Sequence, residues 1–375
     1  MAINVIDKDG DLTVEVIEYD EKAKDGSGNR PVARTQQFRV RRDILIKHSK
    51  IFAAMLGTTH WKEAQKEFIK LEEDSVASME IWFRILHDTD LVYDVPLEEM
   101  WRLVTACDKY NLNVSMLKIW FATWYEKHGI NQYYANWGLE VRHDNHLLTP
   151  RSLLYPCWIW DHAKGFMRAT HFLSYNSVGH ITEHNPTIHR GLRVESRVIQ
   201  QLNAAKGRLR TVMHNELFRP NETLLRAHCK CKEKTLYCYE QMLYRIQVWP
   251  LERIYQKSSM TTILERLDNF SFEAEKEACA SCRMNYKTIV QTAQEKVRSY
   301  FSGLCLDCMD RTKPVTGDAD MDYWKHDSLR ESDFMRKCRC THTQPTWYFS
   351  FMGRTEVRDR FLRNKRAWKY SSDSD

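Results

Sequence analysis

The sequence predicts an α+β protein, in which a strand-containing N-terminal domain is followed by a mainly α-helical domain. Three observations predict this class. Apolar residues alternate near the N-terminus, they recur every three or four positions through much of the remaining chain, and cysteines cluster in the second half. The length of 375 residues suggests two or three domains.

The composition is typical of packed globular proteins, because 43% of the residues are hydrophobic and 12% are aromatic. The chain has no apolar run of about 18 residues and no signal-peptide pattern, so we expect no membrane partner and a location in the cytoplasm and/or nucleus. Disulfides are rare in those compartments, which makes metal ligation the leading interpretation of the 11 cysteines. The net charge of +6 is mild and does not require a nucleic-acid partner.

The first elements are predicted to be two strands that form a hairpin. Apolar and polar residues alternate over "LTVEVIEY" (12–19), which is the period of a half-buried strand. A polar loop that contains glycine (21–31) follows it, and "ARTQQFRV" (33–40) predicts the second strand.

Helices and one short strand are predicted next. Apolar residues from Ile44 to Met55 have helical spacing, and Gly57 suits the C-terminal cap of that helix. "EFIKL" (67–71) predicts a short strand, and further helices are expected after a cap at Asp74 or Ser75, after Pro96 and over 115–128. Together these elements predict an α+β domain over residues 8–130.

Several stretches of this region resemble the BTB/POZ domain family. Ser49 and Phe52, within "RRDILIKHSKIFAAML" (41–56), stand at the Ser-x-x-Phe of that family. The other matching stretches are "WKEA" (61–64), "FIKLEED" (68–74) and "ACDKYNL" (106–112). This chain has Arg41 and Arg42 where the family usually has His-Arg, and "HDTD" (87–90) where many members have Tyr-x-Gly. Neither departure changes the pattern of apolar residues from which the fold is predicted.

The resemblance covers roughly a third of the chain and implies a BTB-like fold with a role in protein–protein interaction. BTB domains bind partners or themselves, commonly as homodimers, and some deliver substrates to cullin-type ubiquitin ligases. The chain is also similar to a group of filamentous-fungal BTB proteins with a cysteine-containing C-terminal half, a similarity that implies little chemistry. We therefore expect a non-enzymatic interaction protein, either a homodimeric scaffold or a substrate adaptor of a ubiquitin ligase.

Residues 131–370 are predicted to form the helical domain. Its longest element is expected over 195–218, where apolar residues recur every three or four positions. Pro220 is expected to end this helix, because proline disfavours helical backbone in the residue before it.

Two Cys-x-x-Cys pairs, Cys279 with Cys282 and Cys305 with Cys308, flank a segment with helical spacing (286–300). A helix of about sixteen residues is roughly 24 Å long. Two thiolates that bind one zinc ion lie within about 4 Å of each other. The two pairs are therefore predicted to bind different ions.

Each pair needs two more ligands, which we assign by proximity along the chain. The first site is predicted to consist of Cys229, Cys231, Cys279 and Cys282, and the second of Cys305, Cys308, Cys338 and His342. Four protein ligands leave no open position for water, so both zinc ions are expected to be structural. Cys340 is an alternative to Cys338 or His342, and Cys238 or His228 is an alternative to a member of the first set.

No catalytic site is expected. "HITEH" (180–184) has the His-x-x-Glu-His order of some zinc metalloproteases, with His180, Glu183 and His184 in the required places. Gly179 before it and Pro186 after it predict a loop rather than the regular helix that this chemistry needs. The sequence also lacks a phosphate-binding glycine loop, a Rossmann glycine set and a nucleophile elbow.

The alternative function is that of a nuclear regulator that contacts nucleic acid through the zinc-bound half and a basic tail. Basic residues gather over 354–369, but Glu356 and Asp359 interrupt them and the acidic end "SSDSD" (371–375) follows. Neither cysteine set has the spacing of a DNA-binding zinc finger. These features disfavour nucleic acid as the partner.

Overall fold

The computed structural model describes residues 2–21, 23, 28–57, 65–128, 130, 148–189, 191–311 and 338–342. The chain divides into two compact units, residues 1–162 with 183–193 and residues 163–182 with 194–375. The described residues combine a small mixed sheet with many helices, which confirms the α+β class. The domain boundaries at 8–130 and 131–370 stay predictions.

The first unit contains a four-stranded sheet in the described residues. Its strands are β1 (Ile3–Val5), β2 (Leu12–Tyr19), β3 (Val32–Val40) and β4 (Phe68–Glu72), in the order β1-β3-β2-β4. Strands β2 and β3 form the predicted antiparallel hairpin, while β1 is parallel to β3 and β4 is parallel to β2. Alternate residues of β2 are buried, as the period-two pattern predicts.

The helices of the first unit are α1 (Arg42–His48), α2 (Lys50–Gly57), α3 (Val76–Leu86), α4 (Leu97–Lys109), α5 (Lys118–Lys127) and α6 (Leu148–Ile159). A 3-10 turn (Val114–Leu117) precedes α5. Helix α3 packs on the sheet, where the buried rings of Phe83 and Phe38 meet edge to face at 5.5 Å. The side chain of Ser75 caps α3 by accepting the N–H of Ser78.

Three residues from the stretches that resemble the BTB family meet inside the first unit. The buried Ser49 hydroxyl donates to the carbonyl of Tyr110 at 2.5 Å and accepts the N–H of Phe52 at 3.0 Å. The rings of Phe52 and Tyr110 stack with centroids 4.7 Å apart. These contacts attach α2 to the end of α4. The matching stretch "WKEA" (61–64) lies outside the described residues.

The second unit is helical in its described residues. It contains α7 (Ala163–Asn176), α8 (Ser196–Arg226), α9 (Lys232–Arg245), α10 (Leu251–Tyr255), α11 (Met260–Leu267), α12 (Tyr286–Tyr300) and α13 (Leu306–Arg311). The apolar side of α8 is buried, including Leu202, Leu209 and Leu217, and this helix packs against α12. None of the helices that the structure describes is long and apolar enough to cross a membrane.

One prediction about the second unit is wrong, because helix α8 does not end at Pro220 but continues to Arg226. Proline removes one backbone N–H from the helix, and tertiary packing can offset that loss. Here the last turn of α8 carries Leu224, which is buried in a small core with Ala278 and Cys282. The extension therefore brings the end of α8 to the first pair of cysteines.

Candidate metal centres

The first candidate centre brings together Cys229, Cys231, Cys279 and Cys282, whose sulfur atoms all lie within 4.8 Å of one another. We call it the four-cysteine cluster. Two of its members come from the link between α8 and α9, and Cys231 immediately precedes the first residue of α9. The other two come from a tight turn, in which the N–H groups of Cys282 and Arg283 donate to the carbonyl of Cys279 at 2.9 and 3.0 Å.

Short contacts join the two halves of the four-cysteine cluster. The sulfur atoms of Cys229 and Cys282 are 3.5 Å apart, and the N–H of Cys279 lies 3.5 Å from the sulfur of Cys231. Leu224 and Ala278 pack behind the cluster, so Cys282 is buried while the other three cysteines are partly exposed. The cluster therefore lies at the edge of the core.

The thiols of this cluster differ in acidity. A hydrogen bond from the Cys229 thiol lowers the pKa of Cys279 to about 7, whereas burial raises the pKa of Cys282 to about 12. Four thiolates within this space would repel one another strongly. A divalent cation among the sulfur atoms would remove that repulsion and allow all four cysteines to ionise.

The second candidate centre brings together Cys305, Cys308, Cys338 and His342, whose ligand atoms also lie within 4.8 Å of one another. We call it the histidine-containing cluster. The sulfur of Cys308 is 3.6 Å from that of Cys338 and 3.3 Å from Nε2 of His342. Cys305, Cys308 and His342 are 1%, 0% and 7% exposed, so three of the four ligands are buried.

The two neighbouring thiols at the start of α13 also differ in acidity. A hydrogen bond from the Cys308 thiol lowers the pKa of Cys305 to about 4. The same hydrogen bond, together with burial, raises the pKa of Cys308. Cys305 is thus deprotonated and can bind a metal ion as a thiolate, while Cys308 needs a cation to lose its proton.

The backbone before Cys305 is held against helix α7. Gly303 has a φ of +102°, and a side chain there would collide with the carbonyl oxygen of Met167. The next residue, Leu304, donates its N–H to the buried hydroxyl of Thr170 at 2.8 Å. These contacts fix the position from which Cys305 enters the cluster.

An ion pair connects the two chain segments of the histidine-containing cluster. Asp307, between Cys305 and Cys308, accepts the backbone N–H of Arg339 at 2.7 Å and its Nε–H at 2.9 Å. The Nη2 atom of Arg339 lies 2.8 Å from the same carboxylate. Sequence reasoning missed this pair, because nothing in the spacing of an aspartate and an arginine 32 positions apart indicates that they meet.

The unbroken helix α12 lies between the two Cys-x-x-Cys pairs in the chain, and its 15 residues correspond to roughly 22 Å. Each pair belongs to a different cluster, so the structure groups the same eight residues as the sequence argument. The sequence alternatives Cys238, Cys340 and His228 belong to neither group.

The "HITEH" segment is not helical and does not contribute to a metal-ligand group in the part of the chain that the structure describes. Nδ1 of His184 lies 2.9 Å from the Ser152 hydroxyl, which is a structural hydrogen bond. His180 is exposed, and Glu183 is partly exposed. The absence of helix over residues 180–184 matches the predicted loop.

The donor sets decide what the two clusters can do chemically. Both can hold a metal ion, and sulfur-rich groups of four ligands suit zinc or iron. Each cluster presents four protein ligands, which is the number in closed structural zinc sites.

Comparison with known proteins found no family model, curated protein or solved structure that matches the chain. The fold and the two clusters are therefore the features from which a function is inferred.

Proposed function

We propose that this chain is a non-enzymatic protein–protein interaction protein with a BTB/POZ-like N-terminal domain and a helical domain stabilised by two structural zinc ions. It acts as a homodimeric scaffold or as a substrate adaptor of a cullin-type ubiquitin ligase. The observation that carries the structural-zinc part of the proposal is the presence of two groups of four protein ligands, one on each side of helix α12 in the chain.

The arrangement of ligands supports a structural role for the metal ions. A catalytic zinc ion keeps one position for water or substrate, whereas four protein ligands complete a tetrahedral shell. Each cluster also joins segments that are far apart in sequence, since Cys229 and Cys282 are 53 positions apart and Cys308 and His342 are 34 apart. Binding of zinc to such a set contributes folding free energy directly.

The donor chemistry supports zinc as the metal. Four thiolates, or three thiolates with one imidazole, are ligand sets of structural zinc sites, and Zn²⁺ does not change its oxidation state. Iron bound by four cysteines is the alternative for the four-cysteine cluster. Elemental analysis of the purified protein distinguishes zinc from iron directly.

The contacts of Ser49, Phe52 and Tyr110, which lie in the stretches that resemble the BTB family, support a BTB-like fold, and the interaction role follows from the resemblance. The resemblance also suggests two assemblies, a homodimer and a complex with a cullin-type ubiquitin ligase. The basic tail (354–369), on which the nucleic-acid alternative depends, lies outside the described residues.

The test is metal content per chain by inductively coupled plasma mass spectrometry of the purified full chain. We expect about two zinc ions in the parent and about one in each of Cys282→Ser and Cys305→Ser. Cys238→Ser is the matched control, since that cysteine lies outside both clusters, and it is expected to keep both ions. A single ion that is lost in either variant would contradict the two-site proposal.

The interaction role needs a second measurement on the same sample. Light scattering is expected to give the mass of two chains if the protein is a homodimer, and a monomer that binds a purified cullin would indicate the adaptor form. Binding to nonspecific duplex DNA that weakens steeply as salt rises would instead favour the nucleic-acid alternative.

A further inference from the structure

The two clusters differ in how far solvent reaches their ligands. Three of the four ligands of the four-cysteine cluster are partly exposed, whereas three of the four ligands of the histidine-containing cluster are buried. Oxidation of cysteine depends on thiolate character and on access. A soluble oxidant can therefore reach more ligands of the four-cysteine cluster than of the histidine-containing cluster.

A cavity of about 490 Å³ opens beside the four-cysteine cluster. One side of it is formed by helix α9, including Cys238 and Arg245, and the other by the segment 271–275. Cys231 also lines it, so a small molecule in the cavity can reach a cluster ligand. The exposed ammonium of Lys234, which also lines this cavity, is paired with Glu275 at 2.5 Å.

We infer that the four-cysteine cluster is a site of oxidative modification by peroxides, in which Cys231 reacts first, forms a disulfide with Cys279 and releases the metal ion. This inference rests on the proposed function, because it requires a metal ion that thiolates hold. The histidine-containing cluster keeps its ion under the same conditions.

The reaction is balanced with hydrogen peroxide as the oxidant. The Cys231 thiolate attacks one peroxide oxygen, the O–O bond breaks, and the sulfur becomes a sulfenic acid while the other oxygen leaves as water after it takes a proton. The Cys279 thiolate then attacks that sulfur, the S–O bond breaks, and the second oxygen leaves as water with a further proton. Two thiolates lose two electrons in total, and the two remaining cysteines cannot hold the ion alone.

Geometry favours Cys279 over the other two cluster cysteines as the partner of Cys231, because Cys282 is buried and the sulfur of Cys229 lies 3.5 Å from that of Cys282. The N–H of Cys279 lies 3.5 Å from the Cys231 sulfur, and their two sulfur atoms are within 4.8 Å. Cys238 lines the same cavity, but it lies seven positions along α9, roughly 10 Å from Cys231. A disulfide needs Cα atoms within about 7 Å, so Cys238 is excluded as the partner.

Release of the ion would loosen a defined part of the second unit. The cluster joins the end of α8, the start of α9 and the turn before α12, and Leu224 and Ala278 pack behind it. Oxidation would therefore change these segments without disturbing the contacts of Gly303 and Leu304 with α7.

The test uses the full chain loaded with two zinc ions and treated with increasing hydrogen peroxide. Released zinc is measured with a colorimetric chelator, and disulfides are mapped by mass spectrometry of peptides prepared without reductant. We expect half of the bound zinc to be released, together with a Cys231–Cys279 disulfide. Cys305 and Cys308 should stay reduced at that dose. Cys238→Ser should release zinc as the parent does.

The inference would be overturned by loss of both ions at the same dose, by earlier loss from the histidine-containing cluster, or by a disulfide that joins Cys231 to Cys229, Cys238 or Cys282. Retention of both ions at a dose that oxidises Cys238 would overturn it as well. These outcomes are distinct from failure of the proposed function, which would appear before any peroxide is added as a chain that does not bind two zinc ions.

Discussion

Replacing Asp307 by asparagine should weaken zinc binding at the histidine-containing cluster alone. The carboxylate accepts the backbone N–H and the Nε–H of Arg339 at 2.7 and 2.9 Å and pairs with its Nη2 atom at 2.8 Å, and so holds the segment of Cys338 and His342 beside Cys308. Asparagine has nearly the same shape, but it loses the charge and turns one acceptor into a donor. The ligands would stay present while their positions become less fixed.

The expected magnitude follows from the exposure of the pair. The Asp307 side chain is 15% exposed and the Arg339 side chain 46%, so water screens most of their charge attraction. A net of about 1 kcal/mol for the hydrogen bond to the backbone N–H, and up to about 1 kcal/mol for the ion pair, gives a loss of about 1–2 kcal/mol. That is roughly a 5- to 30-fold lower zinc affinity, within the range for partners that orient metal ligands.

The assay is a titration of the zinc-loaded chain with a competing chelator. In the Asp307→Asn variant the ion of the histidine-containing cluster should leave at a chelator concentration about tenfold lower, while the other ion is unaffected. Asp268→Asn is the matched control, because Asp268 also faces an arginine, Arg298 at 3.6 Å, but lies outside both clusters. Unchanged release from Asp307→Asn, or equal weakening at both clusters, would refute the positioning role.

Three further predictions test ligand choice, packing and pH dependence. Cys338→Ser should lose about one zinc ion and Cys340→Ser none, measured as metal content, because only Cys338 belongs to a cluster; equal losses would show that the ligands are assigned wrongly. Leu224→Ala should cost about 2–5 kcal/mol in chemical denaturation, whereas Leu225→Ala should cost little, since these side chains are 1% and 65% exposed; similar costs would mean that the end of α8 is not packed as described. Burial lowers the pKa of His87, so the fold favours its neutral ring, and this stability is present above about pH 6.5 and lost as pH falls below it. The hydrogen-exchange protection factors of α3, which correct for the slower intrinsic exchange at lower pH, should therefore fall on acidification in the parent and less so in His87→Ala; the same fall in both would exclude this histidine as the cause.

The candidate ligands could be found from the sequence because the spacing that identifies them lies within a few residues. A Cys-x-x-Cys pair places two sulfur atoms on one turn, and the helical spacing of 286–300 keeps the two pairs apart. The strands and most helices were predictable for the same reason, since the alternation in β2 and the cap at Ser75 lie within a few residues.

Features that depend on long-range contacts were not predictable. Helix α8 continues past Pro220 because Leu224 is buried beside Ala278 and Cys282. The residues around Pro220 contain no pattern that indicates this packing. The parallel pairing of β1 with β3 joins Ile3 to Gln37, and three residues carry too little pattern to predict it. The ion pair of Asp307 and Arg339 likewise depends on two segments meeting in the fold.

The central claim is that each cluster holds one zinc ion with four protein ligands and no water. Zinc K-edge X-ray absorption of the purified chain tests it most directly, because the scattering shells count sulfur and nitrogen around the metal. Seven cysteines and one histidine over two ions predict about 3.5 sulfur atoms at about 2.3 Å and about 0.5 nitrogen per zinc, with no further oxygen. A shell with about two sulfur atoms, or with a water oxygen, would contradict the claim of two closed structural sites.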